Sequence, residues 1–444
     1  MTLDRRLRRD LPAVLFCFFT GVVQAAPASL ADLVSSALQR DPERGVAAAI
    51  SAEGAAVRRQ ADSLFAADPT LVVRHQTDLA SGSPPGLRDR LAAAARDRVR
   101  EAVSPFPNGP LLPAAGPEAP DEGLREWEAG LEIPLWLPGQ RGVRRTLADR
   151  MERQAELRRE ARRLAVAGEV RDRLWGLAIA RAETRQARLA LDSARALERD
   201  VARRVEAGEL ARTDLILARK ETLQREADRV TAQERQSLAE GMYRAYTGAE
   251  DLPDDYSETE RSGASLPEDH AGLGLARALA GRARAERDRV RSERRDPPVL
   301  LVGARAERDA AGNDYQRSVG VQLSLPLGLA GQSAPQEAAA ERALTEASAE
   351  LEGTRRELEA ALHASLVGKR EARRALEVRE RQAGLAGEGL RLARRAFELG
   401  EGDLFTLLRA REQSIAAERA LEVGRLELGQ AIARHNQALG VVPQ

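Results

Sequence analysis

Little in this chain is spaced for covalent chemistry. Its four histidines, His75, His270, His363 and His435, lie far apart, and none has the short spacing to a second ligand that a zinc site uses. No nucleophile–base constellation, phosphate-binding loop or HExxH-type motif is present. The residues describe a protein that is not an enzyme and needs no metal or cofactor. Most Asp and Glu fall on solvated faces of helices. The exceptions flank two glycines that break long helical stretches: Gly208 with Glu209 and Asp214, and Gly400 with Glu401 and Asp403. Carboxylates gathered at such breaks are candidates for a functional contact, and Asp214 is the strongest of them.

The two breaks belong to a duplicated frame. Leu-Glu-Ile-Pro-Leu-Trp-Leu-Pro-Gly-Gln at 131–140 is matched by Leu-Ser-Leu-Pro-Leu-Gly-Leu-Ala-Gly-Gln at 323–332, a shift of 192 residues. The same shift carries Gly208-Glu209 onto Gly400-Glu401, Leu215 onto Leu407, and Gly248 onto Gly440. The period is far too long for a solenoid of small repeats. It implies two similar halves, each strand-rich first and helix-rich second.

The chain has 444 residues, of which 31% are charged, 43% hydrophobic and only 3% aromatic, with a formal net charge of zero. That mix suits long helices better than a compact mixed domain. It offers no basic excess for nucleic acid. Residues 1–26 read as a secretory signal: Arg5, Arg6, Arg8 and Arg9, then an apolar run from Leu11 to Val23, then a small-residue cleavage site ending at Ala25. Cys17, the only cysteine, lies inside that run and outside any lipobox. No other stretch approaches 18 apolar residues, so a membrane location would need strands and not helices.

The first repeat spans 27–248. A helix is expected over 29–67, interrupted or kinked at Asp41-Pro42. Strands follow at 70–80 and 125–137, separated by a Pro-rich polar excursion at 81–123 that could hold a short helix at 86–103. The alternation over 125–137 is the clearest in the chain. Trp127, Ala129, Leu131 and Ile133 share one face, and Glu126, Glu128, Gly130 and Glu132 the other. A long helical hairpin is then expected over 141–247, turning at Gly208. Its first arm of some 66 residues would run roughly 100 Å. A polar linker or equatorial segment follows at 249–267. The second repeat, 268–444, holds a helix at 268–295, strands at 299–307 and 316–327 joined by a short turn at 311–314, and a hairpin over 333–439.

Four strands cannot close a barrel, and their free edges would be exposed in lipid. Three copies would supply twelve strands and twelve helical columns, with the Glu faces toward a water-filled lumen. This order, repeated once, resembles the TolC-like outer membrane factors of Gram-negative export systems, the outer membrane efflux protein family. The resemblance covers about 29–440. It is carried by the turn sequences Glu-Ala-Gly-Glu-Leu-Ala-Arg-Thr-Asp-Leu-Ile-Leu-Ala-Arg at 206–219 and Glu-Leu-Gly-Glu-Gly-Asp-Leu-Phe-Thr-Leu-Leu-Arg-Ala-Arg at 398–411. Pro-Leu-Trp-Leu-Pro-Gly-Gln-Arg at 134–141 resembles the heavy-metal efflux branch.

The resemblance implies a homotrimeric channel in the outer membrane with a long periplasmic helical portion. Its fold would be mostly α, with a twelve-stranded β-barrel continuous with a twelve-column helical barrel. Its hairpin tips would meet a periplasmic adaptor (a membrane fusion protein) and, through it, an inner-membrane pump. It would be a passive duct, with metal ions, drugs or secreted peptides as open choices of cargo. In that family the tips form a closed iris, and Asp214 matches an acid that helps hold it shut. The equivalent in the second repeat is Thr406, and Arg409 stands where the best-known member is acidic, which weighs against an aspartate ring. Trp127, Trp136 and Tyr315 are the aromatics placed to anchor the strands at the membrane surfaces. The competing reading is a periplasmic coiled-coil adaptor or scaffold, which should add compact β-domains and an inner-membrane or lipid anchor.

Overall fold

The computed structural model describes residues 29–77, 125–308, 313–327 and 331–443. The expected signal segment, the 81–123 excursion with its short helix, residues 78–80 and part of the 311–314 turn lie outside the described residues.

The expected first helix is two. α1 (Leu30–Arg40) is capped by Ser29, whose hydroxyl accepts the Asp32 N–H at 3.2 Å. It ends before Asp41-Pro42, because proline has no N–H and crowds the preceding turn. α2 (Arg44–Asp62) stops five residues short of the expected boundary, where Ser63 turns extended. Two strands follow, β1 (Thr70–Thr77) and β2 (Arg125–Pro134). β2 is shorter than the expected 125–137. Pro134 ends it, since a residue without an N–H cannot continue the ladder, and the next N–H, of Leu135, turns to the Pro298 carbonyl at 2.7 Å. The first hairpin is α3 (Gln140–Glu206), 67 residues and about 100 Å long, and α4 (Arg212–Thr247).

The second half repeats the plan with α5 (Ala271–Ser292), β3 (Val299–Arg308), β4 (Gln316–Ser324), α6 (Ala334–Glu398) and α7 (Leu404–Ala438). The four strands form one antiparallel sheet in the order β1-β2-β3-β4. The helices make four columns beside one another. Near the sheet the order is α2, α3, α5, α6; beyond mid-length it is α4, α3, α7, α6. The short helices therefore stack end to end beside the two long ones.

Three apolar clusters hold the columns together. Leu147, Met151 and Ala285 pack near the sheet, and Leu33, Val170, Leu174, Leu177, Tyr243 and Ala433 pack at mid-length. Val201, Ala218, Phe397, Leu404 and Leu407 pack at the far end.

The segment expected as a linker or equatorial segment, 249–267, is a strap laid across all four columns. Tyr243 on α4 donates its hydroxyl hydrogen to the Asp251 carbonyl at 3.0 Å. Arg171 on α3, buried, forks onto Glu258 at 2.7 and 2.6 Å. Arg261 N–H donates to Asn436 on α7 at 3.0 Å, and Glu260 pairs with Lys369 at 2.8 Å and Arg373 at 2.7 Å on α6.

Candidate functional site: a two-faced sheet and a two-turn tip

Strand register sorts the sheet's side chains by polarity. Leu71 pairs with Leu131, Leu131 with Val302, and Val302 with Val321; Val73, Ala129, Ala304 and Val319 form the next row. These residues share one face. They look into open space: Leu71 is 70% exposed and Val321 69%. The opposite face carries Arg74, Gln76, Glu126, Glu128, Glu132, Arg305, Glu307, Ser318 and Gln322. There the charged groups are buried against one another. Arg305 Nε lies 2.6 Å from Glu126 and 3.9 Å from Glu128, while its Nη2 lies 2.8 Å from Glu307. Arg74 reaches Glu128 at 3.3 Å. A soluble sheet buries its apolar face; this one exposes it and covers its charges.

The alternation of β2 was legible in the sequence as two faces, and the structure keeps them. The bridging arginines were not expected. The signal was available only through register: Arg74, Glu128 and Arg305 are directly opposite one another once the three strands are aligned.

The aromatics mark the two rims. Trp127 stacks on His75 at 4.0 Å, and Arg308 covers Tyr315 at 5.3 Å, both at the rim away from the helices. Trp136 sits just past the other end of β2. Its indole N–H donates to the Ser63 carbonyl at 3.2 Å, and Arg144 lies 5.2 Å over its ring.

At the far end of the columns the two glycine breaks fold alike. Gly208 has φ 79° and Gly400 φ 76°, the left-handed region that suits glycine. Gly208 N–H donates to the Val205 carbonyl and Glu209 N–H to that of Arg204; Gly400 and Glu401 repeat this onto Phe397 and Ala396. This is the Schellman end. Asp214 accepts the Ala211 N–H at 3.1 Å, and Asp403 accepts the Thr406 N–H at 2.6 Å. That hydrogen bond holds the Asp403 carboxyl below the ordinary carboxylate range. Both acids thus cap the returning helices α4 and α7, while Glu209 and Glu401 are exposed in the turns. Phe397 and Leu404 pack with Val201 and Ala218, and Arg204 lies 5.1 Å over the Phe397 ring, so the two turns form one tip.

The histidines stay apart. His270 caps α5 by accepting the Gly272 N–H at 3.2 Å, and burial pushes its pKa down. His435 is buried, with Nδ1 3.1 Å from Ser365 Oγ. No cluster of His, Cys, Asp and Glu that could hold a metal occurs among the described residues. None of the described helices is long and apolar enough to cross a membrane.

No protein-family model matches the sequence, and no curated protein matches it significantly. Solved structures do. The outer membrane protein VceC of Vibrio cholerae is similar at 17% identity and TM-score 0.67, over 93% of this chain and 96% of that one. The CmeC outer membrane channel of Campylobacter jejuni gives 15% and 0.65, over 93% and 85%. The MtrE outer membrane channel of Neisseria gonorrhoeae gives 17% and 0.66, over 93% and 89%. The likeness is one of fold: a mostly helical chain with a small antiparallel sheet, as the resemblance to TolC-like outer membrane factors implied for one copy.

Proposed function

We propose that three copies of this chain form a passive duct through the outer membrane, with the sheet as its membrane portion and the helical columns reaching into the periplasm. The observation that carries this is the inverted sheet. An apolar face in open space beside a buried charged face suits a wall between hydrocarbon and water. Such a wall cannot stop at β1 and β4, whose outer backbone groups need partners in lipid. Twelve strands from three copies would close it.

The helical columns have matching unfinished edges. On α6, Val378, Leu385 and Leu392 recur every seven residues on the side away from α7; on α4, Ile216, Leu223 and Val230 do the same on the side away from α3. They are between 44% and 71% exposed. Heptad-spaced apolar stripes want a partner helix, and head-to-tail joining of one edge to the other closes a ring.

In this reading Trp127 and Tyr315 anchor the outer rim and Trp136 the inner one. The tip formed by Gly208, Glu209, Asp214, Gly400, Glu401 and Asp403 faces a periplasmic adaptor and an inner-membrane pump. Asp214 adds to its capping role a part in holding the tip closed. The duct needs no catalysis; cargo choice rests with the pump and with luminal charge. Single-channel recording in planar bilayers tests it. The purified trimer should conduct, and Asp214→Ala should raise the open fraction. Silence from both proteins would end the duct reading.

A further inference from the structure

The duplicated frame contains a copy of the missing interface. Inside one chain α3 packs on α7, with Trp175 against Gly429 and Arg185 3.6 Å from Glu422. Between those anchors stands Leu426, packed on the mid-length cluster and level with the buried Ala178 and Ala182. The 192-residue shift maps α3 onto α6 and α7 onto α4. It therefore maps the α3–α7 seam within a chain onto an α6–α4 seam between chains. Leu426 becomes Glu234, Ala178 becomes Arg370 and Ala182 becomes Arg374. Where the internal seam sets a leucine among alanines, the external one sets a carboxylate between two guanidinium groups.

The exposures agree with that mapping. Arg370 and Arg374 are 61% and 66% exposed, and among the described residues they ion-pair with the neighbouring Glu371, at 3.6 and 3.1 Å, an exposed pairing of little worth. Arg374 follows Arg373, which ties the strap, and precedes Val378 on the apolar stripe, so it lies at the free margin of α6. Glu234 is exposed one turn beyond Val230 on the free margin of α4. The same register seats Val230 between Arg374 and Val378, and Leu223 between Arg381 and Leu385.

We propose that Glu234 of one copy seats between Arg370 and Arg374 of a second copy, and that this charged trio fixes the register of the seam between copies. An apolar heptad seam alone can slip by one repeat, as it can in a coiled coil; a charge that must find two opposite charges cannot slip cheaply. The contrast with the internal leucine also keeps the two seam types from exchanging partners. The proposal rests on the ring reading above.

The test uses full-length protein in detergent, with the association constant read by sedimentation across a concentration series and helix content by circular dichroism. Glu234→Arg, and separately Arg370→Glu with Arg374→Glu, should each weaken trimer association by about tenfold or more. All three changes together should bring it back to within about threefold of the native chain. Failure of the combination to recover, or native-like assembly of Glu234→Arg, overturns the trio and leaves the ring standing. A native chain that stays monomeric overturns both. A second arm does not depend on those variants assembling. The chain's only cysteine is Cys17, so Glu234→Cys with Arg370→Cys should give chain-to-chain disulfides on mild oxidation, and assembled trimers that give none overturn the register.

Discussion

Arg305 is the residue on which the sheet's polar face depends. It is 7% exposed and answers Glu126, Glu128 and Glu307 at once. Removing one partner of a buried ionic cluster leaves charge without compensation, at a cost of about 3–5 kcal/mol. Arg305→Leu should therefore lower the urea midpoint sharply, and adding Glu126→Gln and Glu128→Gln should recover most of the loss. Titration of unfolding checks a second site. Burial, then the nearby Lys369, pushes the His435 pKa below the usual 6.5, while Glu260 pulls it up weakly. The unfolded chain takes up its proton first as pH falls. The stability tied to neutral His435 is complete above about pH 6.5 and is lost as pH drops below it. His435→Gln should flatten the stability profile from pH 7 to 5. Neither residue stood out in the sequence, because burial and register are properties of the assembled strands and columns. The tip acids did stand out, yet for Asp214 and Asp403 the local reason is capping, a pattern visible in Asp403-Leu-Phe-Thr406 and hidden in 211–214, where the capping residue is an alanine.

The elements were far more legible than their contacts. Apolar steps of three and four marked α3 and α6 to within two residues; α3 holds no proline, and the one proline of α6, Pro335, sits in its first turn, where a missing N–H costs nothing. Boundaries failed where a single residue decided them: Pro134 closed β2 early, and Ser63 closed α2 early. The repeat was legible as matched glycines and reappears as matched backbone angles, φ 79° and 76° at Gly208 and Gly400, and 76° and 80° at Gly248 and Gly440. Forcing a Cβ into the left-handed region costs about 1–2 kcal/mol. Gly208→Ala and Gly400→Ala should each destabilise the helical portion by that amount, seen as a lower thermal midpoint. Gly176 lies inside α3 with nothing within 4 Å of an added Cβ. Gly176→Ala should raise the midpoint by roughly 0.5–1 kcal/mol equivalent.

For the whole molecule, the proposed duct would take the charge of its lumen from the polar face of the sheet. Its described residues include two arginines, Arg74 and Arg305, and four glutamates, Glu126, Glu128, Glu132 and Glu307. In the proposed trimer that acidic excess would be tripled inside a low-dielectric wall, which favours cations. Reversal-potential measurements in a salt gradient should show cation preference, reduced in Glu132→Gln, whose carboxylate stands apart from the Arg305 cluster. A lumen without that preference would mean that the polar face does not line the pore. The strap at 249–267 has a mechanical consequence as well. It is bolted to α4, α3, α7 and α6 by Tyr243, Arg171, Asn436 and the Lys369–Arg373 pair. It ties the four columns at one level, like a hoop around staves, and from there α3 runs on from Arg171 to Glu206, about 50 Å, to the tip. A small slip at the hoop would therefore become a wide swing at the tip.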